Sequence, residues 1–283
     1  MNKVPFINNY ELKFSPFETK KIYGVIVKNI QNEVLKNNIH YEIEVECIDF
    51  KNQHITFEIN QNQIFINNSV PDTKIENLVY KAGQTLYPLQ IEANQNGQIA
   101  SILNYKHIKN RWLSEKENLK NYYKGEAVQK IIDAIDIILL DENQLLQSLY
   151  KNWFFTLYFS PLYISYTDAL CRMVERDFPI FGDKSAKFNA VHTIGNYCSS
   201  NNKITINSKG KAVDTRTIDE ILNGDSPLKH ELSNRVVPSI GSHFEIEYTL
   251  NATDRSVFLI NASFETHIDK NNTKKTIVEI CEL

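Results

Sequence analysis

The sequence predicts an α+β fold: a curved antiparallel β-sheet formed by strand blocks at the N- and C-terminal ends of the chain, with a central helical segment packed on its concave face. Three observations predict it. Apolar residues alternate with a period of two in the first and last thirds. They switch to the helical period in the middle third. No linker rich in Gly, Ser or Pro separates the blocks. Residues 1–283 therefore read as a single domain, with strands over about 23–103, helices over about 104–175 and strands over about 186–282. The alternative is two domains divided near Asp183.

In the first block, residues 23–27 read as a strand. In the next, Tyr41, Ile43, Val45 and Cys47 face one way and His40, Glu42, Glu44 and Glu46 the other. That is the pattern of an antiparallel strand with one solvated face. Residues 55–59 and 63–67 read as two further strands, parted by the polar Asn60-Gln61-Asn62. Residues 86–93 and 98–103 form a hairpin, and Asn96-Gly97 suits a type I′ turn, whose central residues both need positive φ.

In the middle block, Ile108, Trp112, Leu119 and Tyr122 lie on one stripe of a helix with Asn104 as its N-cap. Gly125 breaks it. Val128, Ile131, Ile132, Ile135, Ile138 and Leu139 share a face of the second helix, which leaves Asp133 and Asp136 on the solvated side. Asp141 with Gln144 three residues on has the spacing of a capping box. The helix it opens carries Leu145, Leu149, Trp153 and Leu157 and ends at Ser160-Pro161, since the residue before Pro avoids the α region. Residues 167–175 read as one more short helix.

In the last block, Phe188, Ala190, His192 and Ile194 alternate with Lys187, Asn189, Val191 and Thr193. A strand over 203–207 leads to a turn at Gly210, and 214–222 reads as a brief helix. The polar segment 223–241, with Pro227 and Pro238, is expected to be a mobile loop. Strands over 244–250, 256–267 and 275–282 close the chain as a meander.

Composition excludes several functions. The net charge of −3 lacks the positive surplus that phosphate neutralisation demands, so no nucleic-acid partner is expected. Residues 1–23 contain no continuous apolar run of the signal-peptide kind, and the aromatic stretch 153–166 is too short and too interrupted to span a bilayer. The expectation is a cytoplasmic chain without a transmembrane segment, periplasmic only if a signal has been removed. Cys47, Cys171, Cys198 and Cys281 form no Cys-x-x-Cys pair and read as reduced thiols. There is no glycine-rich phosphate loop, no His-Glu-x-x-His and no Gly-x-Ser-x-Gly. No metal, cofactor or catalytic residue is assigned. A dyad of His192 with Cys171 or Cys198 would need hydrogen-bond contact that sequence alone does not show. The basic run Lys106, His107, Lys109 and Arg111 reads as a solvated face, or as a contact for phosphates or an acidic partner.

The least ordinary feature is aromatic. Trp153, Phe154, Phe155, Tyr158, Phe159, Tyr163 and Tyr166 recur on more sides of one helix than a single core stripe requires. Either this helix is buried on most sides, or its aromatics line an apolar pocket or partner patch. For the second reading the candidate ligand- or partner-binding residues are Trp112, Trp153, Phe154, Tyr158 and Tyr163.

The order of strands, the Asn96-Gly97 hairpin and the aromatic-rich helices together resemble the bacterial half-barrel carriers that ferry lipoproteins or lipids across the periplasm. No motif of that family matches residue by residue. The absence of catalytic motifs together with the aromatic excess points to a non-enzymatic binding or scaffold protein of a bacterial assembly, or a binder of an apolar ligand, using the sheet's concave face or an exposed edge strand to hold a protein partner or an apolar small molecule. The alternative is an enzyme of unrecognised type with a Cys, His or carboxylate site assembled across strands.

Overall fold

Residues 2–7, 10–15, 20–51, 54–225, 240–269 and 271–283 are described by the structure, a computed structural model. The N-terminal block contains β1 (Lys20–Gln31), β2 (Val34–Lys51), β3 (His54–Ile66), α1 (Lys74–Gln84), β4 (Leu89–Ala93) and β5 (Ile99–Ile102). The helical segment contains α2 (Tyr105–Tyr122), α3 (Glu126–Ile138), α4 (Glu142–Leu149) and α5 (Trp153–Tyr158). The C-terminal block contains β6 (Cys171–Phe181), β7 (Lys184–Ile194), β8 (Lys203–Ala212), α6 (Ile218–Asn223), β9 (Gly241–Asn251), β10 (Val257–His267) and β11 (Thr273–Glu282).

The strands form one open antiparallel sheet in the order β5-β4-β3-β2-β1-β11-β10-β9-β8-β7-β6. The first and last strands meet at its centre, from Tyr23 opposite Glu282 to Gln31 opposite Lys274. Strand parity sorts the faces. Val25, Ile43, Ile59, Phe188, Ile206, Phe244, Ile260 and Val278 point to a buried inner face, while Glu42, Lys209 and Glu245 point to solvent or half-exposed positions. Consecutive strands β5 and β6 lie at opposite edges, so the helical segment between them crosses the inner face. The Tyr150 hydroxyl accepts from the Ile99 amide of β5 at 2.9 Å. Six residues later the Thr156 carbonyl accepts from Arg176 of β6 at 2.7 Å. Both edges of the sheet therefore reach one short stretch of helix, and the sheet wraps around it. Among the described residues, no helix is long and apolar enough to cross a membrane.

Several elements differ from the sequence expectation. The expected break at Asn60-Gln61-Asn62 is not a turn: β3 runs through it, with a register shift opposite Tyr41 and Ile43 that absorbs an extra residue as a bulge. The helix expected over 167–175 is largely strand, because Val174, Arg176 and Phe178 pair inward with Ala190, Phe188 and Ala186. Only Gly97 of the Asn96-Gly97 pair has positive φ. The turn is instead organised by Asn94, whose side chain accepts from the Asn96 and Gln98 amides. Two consecutive positive φ values occur at Asn32-Glu33, between β1 and β2. The third helix breaks into α4 and α5, since Asn152 turns to cap the amide of Phe154 at 2.8 Å. The whole of α1 escaped the periodicity reading, because it buries only Leu78 and Ala82, although Thr73 and Glu76 form a reciprocal capping box. Residues 226–239 of the expected mobile loop, with Pro227, Pro238 and His230, lie outside the described residues.

Two residues have other jobs than their expected ones. Asn104 precedes α2 but makes no cap bond with its side chain. It accepts from the Gln90 amide at 3.0 Å and donates to the Pro88 carbonyl at 2.8 Å, tying α2 to β4. Gly210 is not a turn but lies inside β8, where an added Cβ would strike the Asn189 carbonyl and come within 2.7 Å of the Phe244 ring. Replacing Asn104 by Leu is expected to cost about 1–2 kcal/mol, since it leaves the Gln90 amide without its acceptor, while the Pro88 carbonyl keeps its bond from Arg111. Replacing Gly210 by Ala is expected to cost about 2 kcal/mol by overpacking. Urea unfolding measures both, and a loss below about 0.5 kcal/mol in either variant would contradict the assigned contact.

Candidate functional site

The aromatic residues singled out by sequence lie in the interior. Phe154 is fully buried, and Tyr158 and Tyr163 nearly so. Trp153 is half-buried, with its ring centroid 4.5 Å from that of Phe264 on β10. Tyr163 stacks on Phe14 and donates to the Arg255 carbonyl at 2.8 Å. The Tyr158 hydroxyl donates to that of Tyr23 at 3.3 Å, which donates onward to the Val257 carbonyl at 2.9 Å. Trp112 belongs to a different neighbourhood. Its indole donates to Asp136 at 2.8 Å and so joins α2 to α3. Asp136, expected on the solvated side, also pairs with Lys116 and ties the two helices together. Of the basic run, Arg111 donates to the backbone carbonyls of Thr85, Leu86 and Pro88, a structural use of its fork.

An open cleft of about 520 Å³ lies beside this aromatic plug, where β6 passes α4 and α5. None of the five aromatic candidates lines it, but their neighbours Thr156 and Phe159 do. Tyr150, Gln147 and Lys151 form one wall, and Gln98 extends it from the β4–β5 hairpin. Arg176 of β6 and Ile221 of α6 face them. The cleft exists because both sheet edges converge on α5.

Arg176 is the least expected residue here. It occupies an inward position of an edge strand, opposite Phe188. Its guanidinium donates to Ser160 Oγ and to the Thr156 carbonyl, and sits 5.1 Å from the centre of the Phe178 ring. No carboxylate pairs with it among the described residues. The other charges of the cleft behave differently. Arg216 forks onto Asp214, at 2.8 Å through Nε and 2.6 Å through Nη2. Burial works to raise the Asp214 carboxyl, but Arg216 and the Lys187 amide overcome it and hold it low. Lys184 pairs with Asp183 at 3.4 Å. Burial pushes the Asp177 carboxyl up despite the nearby Lys187.

Behind Arg176 the interior holds a further polar group. Ser160 Oγ shares a 2.8 Å hydrogen bond with the Tyr248 hydroxyl, and the Tyr248 ring lies parallel to that of His192. His192 is fully buried, and among the described residues neither ring nitrogen has a hydrogen-bond partner. It forms no dyad with Cys171, which pairs with Thr193 on the opposite face of the sheet, or with Cys198, whose thiol is directed at the Lys3 carbonyl. Burial, with the Arg176 charge adding to it, pushes the His192 pKa down to about 3.

No family model matches the sequence, and no curated protein matches it. Among solved structures, the chain is similar to a lipovitellin chain, from a structure described as "Lipid-protein interactions in lipovitellin". The identity is 8% and the TM-score 0.42, over 98% of this chain and 25% of that one. This chain thus spans about a quarter of that protein's length. A likeness so distant carries no argument about a ligand.

The buried His192 has a measurable consequence. The unfolded chain protonates this group near its usual 6.5, whereas the folded chain resists protonation down to about 3. Between those values the unfolded state binds the extra proton, so stability falls as pH falls. Around the ring stand its strand partners Arg172 and Ser208, with Arg176 and Tyr248. Below pH 6.5 the wild type should lose ~1.4 kcal/mol per pH unit more than a His192→Leu variant. Urea titrations at pH 4 to 8 read this directly, and parallel curves for the two proteins would refute it.

Proposed function

We propose that this chain is a binding protein rather than an enzyme, and that it takes a small amphipathic molecule into the cleft between β6 and the α4–α5 helices. The observation that carries this reading is the cleft's construction. Its volume of about 520 Å³ falls within the range of small-molecule sites, roughly 300–1,000 Å³. Its walls come from elements held together by hydrogen bonds, so the site is preformed and little ordering accompanies binding. The ring of Tyr150 offers apolar surface, with the nearly buried Phe159 and Ile221 behind the lining, and polar side chains surround them. The charged pairs Lys184–Asp183 and Arg216–Asp214 engage each other instead of an acid–base partner. His192, the group best placed by type for proton transfer, is sealed behind the cleft wall.

A scaffold role has its own support in strand β6. It is the last strand of the sheet, and Met173 on it is 70% exposed. An edge of this kind accepts an added strand from a partner protein.

The small-molecule reading is tested by NMR with methyl-labelled protein and a panel of charged, neutral and apolar amphipaths. The methyl signals of Ile221 and Thr156 should shift on binding, while that of Ile132 in α3 stays fixed. Gln147→Trp at the exposed rim should weaken binding at least about ten-fold by filling the entrance, a loss of ~1.4 kcal/mol. Failure of every amphipath to move Ile221 or Thr156 would retire this reading in favour of the edge strand.

A further inference from the structure

The cleft sorts its charges by strand parity. Glu175 and Asp177 alternate with Arg176 along β6, so their side chains leave the strand on the outer side, opposite Asn189 and Lys187 of β7. Arg176 alone of the three turns inward, to the base of the cleft. Lys184 and Arg216 are each engaged by a neighbouring carboxylate. Lys151 stands exposed at the opposite wall, and no ion pair neutralises it among the described residues. Glu175 and Asp177 still line the cleft from β6, but among the described residues Arg176 and Lys151 are its two cations that no carboxylate engages.

Arg176 is also held still. Ser160 Oγ and the Thr156 carbonyl each take one of its donors, and the Phe178 ring lies close beneath its plane. A guanidinium has five N–H groups, so donors remain after these two contacts. An unpaired, preoriented guanidinium at the base of a cleft matches a carboxylate or phosphate, which it engages through paired N–H bonds. A lysine at the far wall adds a second positive charge without fixing geometry.

The geometry points to Arg176 as the anchor for the anionic head group, carboxylate or phosphate, of the amphipath that this cleft binds. This rests on the cleft being the binding site. The head group sits between Arg176 and Lys151, and the apolar part lies against the ring of Tyr150.

The experiment is a calorimetric titration of the full chain with four ligands of one chain length: octanoate, octyl phosphate, octanol and octylammonium. Octanoate and octyl phosphate should bind at least about ten-fold more tightly than octanol, with octylammonium weakest. Whichever anion binds more tightly identifies the head group as carboxylate or phosphate. Arg176→Met should bring both anions down to the level of octanol. Because that variant gives up two internal hydrogen bonds, Lys151→Glu serves as the second: its side chain is exposed, and anion affinity should drop several-fold while octanol is unaffected. Octanol that binds as tightly as octanoate, still shifting Ile221, would overturn the anion assignment and leave the cleft standing. Octanoate affinity unchanged in Lys151→Glu would do the same. Silence from all four ligands would remove both the assignment and the binding site beneath it.

Discussion

The antiparallel pairing of β1 with β11 is the contact on which the rest of this architecture depends. It joins the two ends of the chain side by side, residue for residue from Tyr23–Glu282 to Gln31–Lys274. Without it the strand blocks would be two small sheets, each with an apolar face to cover separately. With it there is one wide sheet, and only one segment is available to cover its inner face. The chain leaves the sheet at one edge, β5, and re-enters at the other, β6. The helices must span that distance across the inner face, and the sheet curves to meet them.

This explains why α5 is aromatic on so many sides. The sheet surrounds it. Trp153 meets Phe264 of β10, and Tyr158 meets Tyr23 of β1. Phe159 meets Phe57 of β3, and Thr156 meets Arg176 of β6. A six-residue helix forms no stable unit alone, so its order derives from this enclosure. Large rings fill the space between distant strands with few residues, and each tyrosine hydroxyl finds an acceptor as burial requires. Tyr23, Tyr158 and Tyr163 do so, and the Tyr248 hydroxyl shares a hydrogen bond with Ser160 Oγ. His192 departs from that rule, and it lies on the same inner surface as Arg176, a cation without a carboxylate partner among the described residues.

Much of the fold was legible because strand parity is a local property. The inward run Phe188, Ala190, His192 and Ile194 is buried as its alternation requires, and so is Tyr41 to Cys47. The errors arose where local pattern was ambiguous. In 167–175 charged residues interrupt a short apolar run without a clear period, and nothing in the sequence shows that Arg176 faces inward until β7 is placed beside it. In α4 and α5 the apolar spacing runs unbroken through Asn152, although that side chain starts a new helix. At Asn104 the preference of Asn for helix caps was read correctly, but a tertiary partner claimed the side chain.

By itself, then, the sequence determined the alternating faces of the strands, the helical period of the middle segment and the concentration of aromatics at its end. These follow from side-chain order along the backbone and need no distant partner. The tertiary structure decided that the two strand blocks share one sheet, that its opposite edges converge on α5, and that Arg176 faces inward from β6 while Glu175 and Asp177 leave the strand on its other side. Each of these depends on which strands lie beside one another, and pairing between segments more than two hundred residues apart, as in Tyr23 and Glu282, leaves no trace in local spacing.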